Sequence, residues 1–267
     1  MIVDYHMHLR DAASEIAFTV DSAERFAERA AERGVDEIGF TEHVYYFRQT
    51  RDFWRIPYQT DRCEHDLDTY VDAVVEAKRR GLPVKLGLEV DWLGEHAGEL
   101  AETLAPYPWD YLLGSVHWLY GEHGVDSGAE AGAWAKWPED EVWRRYVEEL
   151  SAAARSGHFD VLSHPDLAKI FGVGGLDERY EELACAVDDG GVALEISTAG
   201  LRKPVGELYP DPRLLRMSVA PVTLASDAHE PALVGEDFDR ALELARSTGR
   251  DTVCVFAGRT RTLEPLG

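Results

Sequence analysis

Ile2-Val3-Asp4-Tyr5-His6-Met7-His8 opens the chain as a short apolar run that ends in His-x-His. Side chains alternate along an extended strand, so the two imidazoles share one face at the strand's C-terminal end. The arrangement recurs. His43 follows Gly39-Phe40-Thr41-Glu42, and Glu89 sits in Gly87-Leu88-Glu89-Val90-Asp91. His117 follows Gly114-Ser115-Val116, His164 follows Val161-Leu162-Ser163, and Asp227 and His229 close Ala225-Ser226-Asp227-Ala228-His229.

The apolar runs are read as strands at Met1–Tyr5, Val35–Phe40, Val84–Glu89, Tyr111–Val116, Val161–Ser163, Val192–Ile196, Val222–Ala225 and Thr252–Phe256. Between them, apolar residues recur at helical spacing over Ser22–Arg33, Asp66–Arg80, Glu139–Arg155, Asp177–Asp189 and Glu236–Ser247. Gly34, Gly81 and Gly190 stand where C-caps belong. Repeated βα units with buried strands predict a parallel sheet, and this many units without a composition break favour closure into a barrel over two domains. The whole chain, 1–267, is read as one domain. In such a barrel the C-terminal strand ends converge on one rim, and six ends deliver eight metal-competent side chains there. Imidazoles with carboxylates suit Zn, Mn or Fe, and a carboxylate such as Glu89 can bridge two ions.

Composition restricts the partners. The chain has 27 Lys+Arg against 50 Asp+Glu, a net charge of −23, which repels nucleic acid. No apolar run approaches the ~20 residues that span a bilayer. Three cysteines far apart, with no CxxC, do not make a disulfide framework. The reading is of a reduced, cytoplasmic protein that binds a small molecule and neither nucleic acid nor membrane; the oligomeric state is left open.

The set His-x-His, Thr-Glu-His, Gly-Leu-Glu, Gly-Ser-Val-His, Ser-His-Pro-Asp and Ser-Asp-Ala-His resembles the PHP (polymerase and histidinol phosphatase) superfamily, in its order and over residues 6–229. Ser197-Thr198-Ala199-Gly200-Leu201-Arg202-Lys203-Pro204 and Asp166-Leu167-Ala168-Lys169 narrow the likeness to its monofunctional histidinol-phosphate phosphatases. The resemblance implies a distorted (β/α)₇ TIM-like barrel with a site of two to three divalent ions at the C-terminal strand ends. His6, His8, Glu89 and Asp227 would hold one ion, Glu89 with His117 and His164 a second, and His43 with His229 a third. Members usually carry one more histidine shortly after His-x-His. Here Leu9-Arg10-Asp11-Ala12-Ala13-Ser14-Glu15 has none, so either Asp11 or Glu15 offers an oxygen instead, or the third ion is weak or absent. Ser197 replaces the usual Asn.

The implied reaction is hydrolysis of L-histidinol phosphate, with a metal-bridging hydroxide attacking phosphorus in line. Arg202 and Lys169 are the expected phosphate clamp, Glu42 a contact to a substrate amine or a support for His43, and Asp227 or His229, or a water they orient, the proton source for the leaving group. Asp166 reads equally as a ligand-orienting group or a helix N-cap. Phe47, Phe53, Trp54, Tyr58, Trp118 and Tyr120, on two long loops, either face the substrate or pack the loops. His65, His96, His123 and His158 are read as surface residues. The alternatives are a phosphoesterase for a nucleotide phosphate or short oligonucleotide, and a non-catalytic metal-binding domain.

Overall fold

The structure, a computed structural model, describes residues 1–12, 15–126, 132–172 and 174–267, with 11 and 12 described by their backbone. Parallel strands form two sheets. In the first, Val3–Asp4 pairs with Glu37–Phe40, which pairs with Val84–Leu86. In the second the order is Val222–Ala225, Ala193–Ser197, Val161–Leu162, Leu113–Ser115, Glu89–Asp91. Backbone hydrogen bonds also run between the sheets, from Tyr5 N–H to Leu224 O (2.9 Å) and from Glu89 N–H to Glu42 O (3.0 Å).

Helices cover the strands with their apolar stripes, and Val20–Glu32 and Leu67–Arg79 have side-chain-capped starts. Val20–Glu32 begins where the Thr19 hydroxyl accepts the Ser22 N–H (3.1 Å), and buries Ala23, Phe26, Ala27 and Ala30. Leu67–Arg79 starts the same way on Asp66. Glu139–Arg155 has the bounds its periodicity predicts. Ala97–Leu104, too short to show a period, was not anticipated. Among the described residues no helix is long and apolar enough to cross a membrane.

Three local expectations are corrected. The run Val84–Glu89 is two strands in different sheets, broken at Gly87, where a Cβ would meet Thr41 and Tyr111 at 2.8 Å. The strand expected at Thr252–Phe256 is antiparallel, paired with Thr260–Pro265 across a two-residue turn. Gly258 and Arg259 both have positive φ there (55° and 62°), the twist that a tight hairpin needs. Finally, Gly191 (φ 67°) caps Asp177–Gly190 rather than Gly190, which lies inside the helix. Gly190 has another purpose: a Cβ there would lie 2.0 Å from Ala154 O, so the two helices cross at bare backbone.

That contact is testable. Gly190→Ala should lower the unfolding free energy by roughly 1–3 kcal/mol in urea titrations. Gly98→Ala, with nothing within 4 Å of the added Cβ, should leave it unchanged or slightly higher. Equal stability of Gly190→Ala and the parent would contradict the packing.

Candidate metal centre

The eight side chains at the strand ends come together at one end of the sheets. His6 and His8 follow Val3–Asp4, His43 follows Glu37–Phe40, Glu89 opens Glu89–Asp91, His117 follows Leu113–Ser115, His164 follows Val161–Leu162, and Asp227 and His229 follow Val222–Ala225. Four trios each offer three donor atoms within 4.8 Å of one another: His6, His8 and Asp227; His6, Glu89 and His164; His43, Glu89 and His117; His8, His43 and His229.

Glu89, fully buried, is the hub. Its Oε2 lies 2.7 Å from His43 Nδ1, 3.5 Å from His6 Nε2 and 3.9 Å from His8 Nε2. Its Oε1 lies 2.9 Å from His164 Nε2 and 3.3 Å from His117 Nε2. Asp227 Oδ1 is 3.3 Å from His8 Nε2 and 3.7 Å from His6 Nε2. Two donors about 2.0–2.2 Å from one tetrahedral ion stand about 3.4 Å apart, so these spacings suit shared divalent ions. Orphaned atoms point the same way. His6 Nε2, both nitrogens of His8, His43 Nδ1 and Glu89 Oε2 are buried without a hydrogen-bond partner. Each such atom costs roughly 1–3 kcal/mol unless something satisfies it. His164 (φ 26°) and Asp227 (φ 50°) also have left-handed backbone, a strain that collects at functional sites. Relative to the implied ion assignment, His8 joins His43 and His229, while His164 groups with His6 and His117 with His43.

Two residues that sequence reasoning passed over hold the rings. Glu195 Oε2 lies 2.8 Å from His6 Nδ1 while its Oε1 accepts the His164 N–H (3.0 Å). Asp91 Oδ1 lies 2.7 Å from His117 Nδ1. A carboxylate behind a ligating imidazole sets its tautomer and basicity. The signals were present. Glu195 is a lone charge in the buried strand Ala193–Ser197, and Asp91 sits two residues after Glu89, on the same strand face.

Burial alone would lower the pKa values of the imidazoles, and for three of them the carboxylates outweigh it. Glu89 and Asp91 push His117 up to about 10. Glu195, Glu89 and Asp227 hold His6 well above its ordinary value, and Asp227 and Glu42 raise His8. Burial together with the neighbouring His8 lowers His43 well below the usual range and His229 to about 3.

A cavity of about 900 Å³ opens over the cluster, with His43, Glu89, His117, His164, Asp227 and His229 in its lining. Tyr45, Tyr46, Tyr58 and Trp118 supply aromatic wall, and Arg10, Arg62 and Lys203 the cations. Only Tyr58 and Trp118 of the six loop aromatics line it; Phe47 packs on Phe18 and Tyr70, Trp54 donates to Thr50, Phe53 packs on the core, and Tyr120 meets Trp137 outside. His65, read as a surface residue, lines the cavity.

The expected phosphate clamp is placed differently. Lys169 is buried, donating to Leu208 O (2.7 Å) and pairing with Asp166 (3.1 Å), under the Tyr209 ring. Arg202 donates to Ser226 O and pairs with Glu236 at 3.4 Å. Neither lines the cavity, because carboxylates and carbonyls inside the fold engage both first. Asp166 caps no helix and instead accepts from Tyr180 and Asp211. Glu42 is fully buried, accepting the Leu9 N–H beside His8. Glu15 is exposed and belongs to none of the four trios; the Asp11 side chain lies outside the described residues.

The profile of the PHP domain matches residues 4–199, most of the chain and the segment carrying six of the eight side chains. The chain belongs to the PHP domain family. It is 35% identical over 247 residues to a probable histidinol-phosphatase of Deinococcus radiodurans, covering 90% of this chain and 91% of that protein. It is 26% identical to the histidinol-phosphatase of Bacillus subtilis, over 84% of this chain and 92% of that one. In fold, the PHP chain is similar to the crystal structure of histidinol phosphate phosphatase from Lactococcus lactis in complex with zinc, L-histidinol and phosphate. That likeness has a TM-score of 0.72 and 20% identity, over 98% of both chains.

Metal uptake by this PHP site should be coupled to proton release. Raised pKa values keep His6 and His117 protonated at pH 7, so zinc must displace their protons, whereas neutral His43 and His229 have none to give. Above about pH 10 His117 has already lost its proton, so the release shrinks. Calorimetric zinc titrations in buffers of different ionisation enthalpy read this directly. No net release at pH 7 would contradict the charge assignment.

Proposed function

We propose that this chain is a metal-dependent phosphate monoesterase that hydrolyses L-histidinol phosphate to L-histidinol and phosphate, in histidine biosynthesis. The observation that carries the reading is the cluster of six imidazoles and two carboxylates under a cavity with an aromatic wall. The names of the relatives supply the substrate. The parallel strands are read as a distorted (β/α)₇ barrel. The inter-sheet bonds at Tyr5 and Glu89 support closure, and the Gly267 N–H bonded to Met1 O (3.2 Å) supports one unit over 1–267.

His6, His8, His43, Glu89, His117, His164, Asp227 and His229 would hold two to three Zn, Mn or Fe ions, which when bound would supply Lewis-acid charge for a phosphate dianion and lower the pKa of water. The chain's own residues do the rest. Glu195 and Asp91 fix the His6 and His117 rings, and Tyr45, Tyr58 and Trp118 offer faces to the imidazole of the substrate. Asp227 is held ionised, since His6 and His8 outweigh its burial, and burial with the neighbouring His8 holds His229 neutral. Neither is set up to donate a proton itself, so the leaving alkoxide takes its proton from a water that this pair orients. The small-molecule substrate and the cytoplasm remain the expected partner and compartment.

Phosphate release by metal-reconstituted protein from L-histidinol phosphate, nucleoside monophosphates and sugar phosphates tests the reading. The expected result is a kcat/KM preference of at least about a hundredfold for L-histidinol phosphate, with all turnover lost in His117→Ala. Nucleotide-biased turnover, also lost in that variant, would overturn the substrate assignment.

A further inference from the structure

His6, His8 and Arg10 stand at alternate positions of one extended segment, while Met7 and Leu9 between them are completely buried on the other side. The guanidinium therefore shares the face of two metal-centre imidazoles. It is 8% exposed and lines the cavity with His43 and His229. Among the described residues it makes one hydrogen bond, from Nη2 to the Tyr46 hydroxyl (3.0 Å), and pairs with no carboxylate. Its Nε is buried without an acceptor. A buried, permanently charged group with one neutral partner is an anion site awaiting its anion, because an isolated buried charge is costly. The contrast with Lys169 and Arg202 is direct, since both of those cations have acceptors inside the fold.

We propose that Arg10 binds the phosphoryl group of the substrate, through guanidinium N–H groups that Tyr46 does not engage. Tyr46 acts as a positioning residue: its hydroxyl accepts from Nη2, and its ring lies 5.8 Å from the guanidinium carbon and 5.2 Å from the His43 ring. A guanidinium can give two parallel N–H bonds to two oxygens of a tetrahedral dianion, which an ammonium cannot do. A cation facing the phosphate also suits a chain whose net charge of −23 otherwise repels it.

This inference rests on the phosphatase reading but is tested apart from it, by binding rather than turnover. Inorganic phosphate and, separately, L-histidinol are titrated into zinc-loaded parent, Arg10→Gln and Arg10→Lys, with zinc content measured for each. The expected result is at least a tenfold weaker Kd for phosphate in Arg10→Gln, an intermediate loss in Arg10→Lys, and unchanged L-histidinol affinity and zinc content. A phosphate Kd within twofold of the parent, or an equal loss for both ligands, overturns the role. Should Arg10→Gln not fold, the phosphate Kd of Arg10→Lys decides by the same criterion. Failure of the parent to bind L-histidinol would count against the substrate assignment alone, since the phosphate arm is read independently.

Discussion

One carboxylate organises this molecule. Glu89 is entirely buried, and five imidazoles lie within 3.9 Å of its two oxygens. Burial opposes its ionisation, yet His117 and His6 hold it charged, well below the usual carboxylate range. Such a hub survives in a protein interior only if neighbouring charge compensates it, from imidazolium in the bare chain or from metal ions in the loaded one. Glu89 also belongs to two of the four trios, so one carboxylate is common to both groups of donors.

The architecture follows from that requirement. Five rings can reach one carboxylate only if several chain segments end together, and parallel strands joined by helices do this. The break at Gly87 serves the same end, since it transfers the chain between sheets just before Glu89. Behind the rings, Glu195 and Asp91 add two more buried carboxylates. The centre is therefore anionic in layers, which suits divalent cations and requires positive charge from elsewhere for a phosphate. Arg10 is placed to supply part of it.

The cluster of eight side chains was legible because strand ends can be recognised locally: an apolar run stops, and a histidine or carboxylate follows. The helix Glu139–Arg155 was legible because its apolar stripe persists over several turns. What failed depended on contacts distant in sequence. Lys169 and Arg202 have the right charge near the right motifs, but Asp166 and the carbonyls of Leu208 and Ser226 decide where they point. Arg10 carried no motif, and only its burial without a carboxylate partner gives it meaning. The hairpin at Gly258–Arg259 was missed because arginine rarely occupies a positive-φ turn position, and Gly190 was read as a cap because its close approach to Ala154 is tertiary.

The central claim is that Glu89 is shared between ions. Zinc content per chain, measured by elemental analysis on reconstituted parent and Glu89→Gln, tests it most directly, with circular dichroism to verify folding. The account predicts about two to three ions in the parent and at least one fewer in the folded variant. Equal zinc content in the two would contradict it.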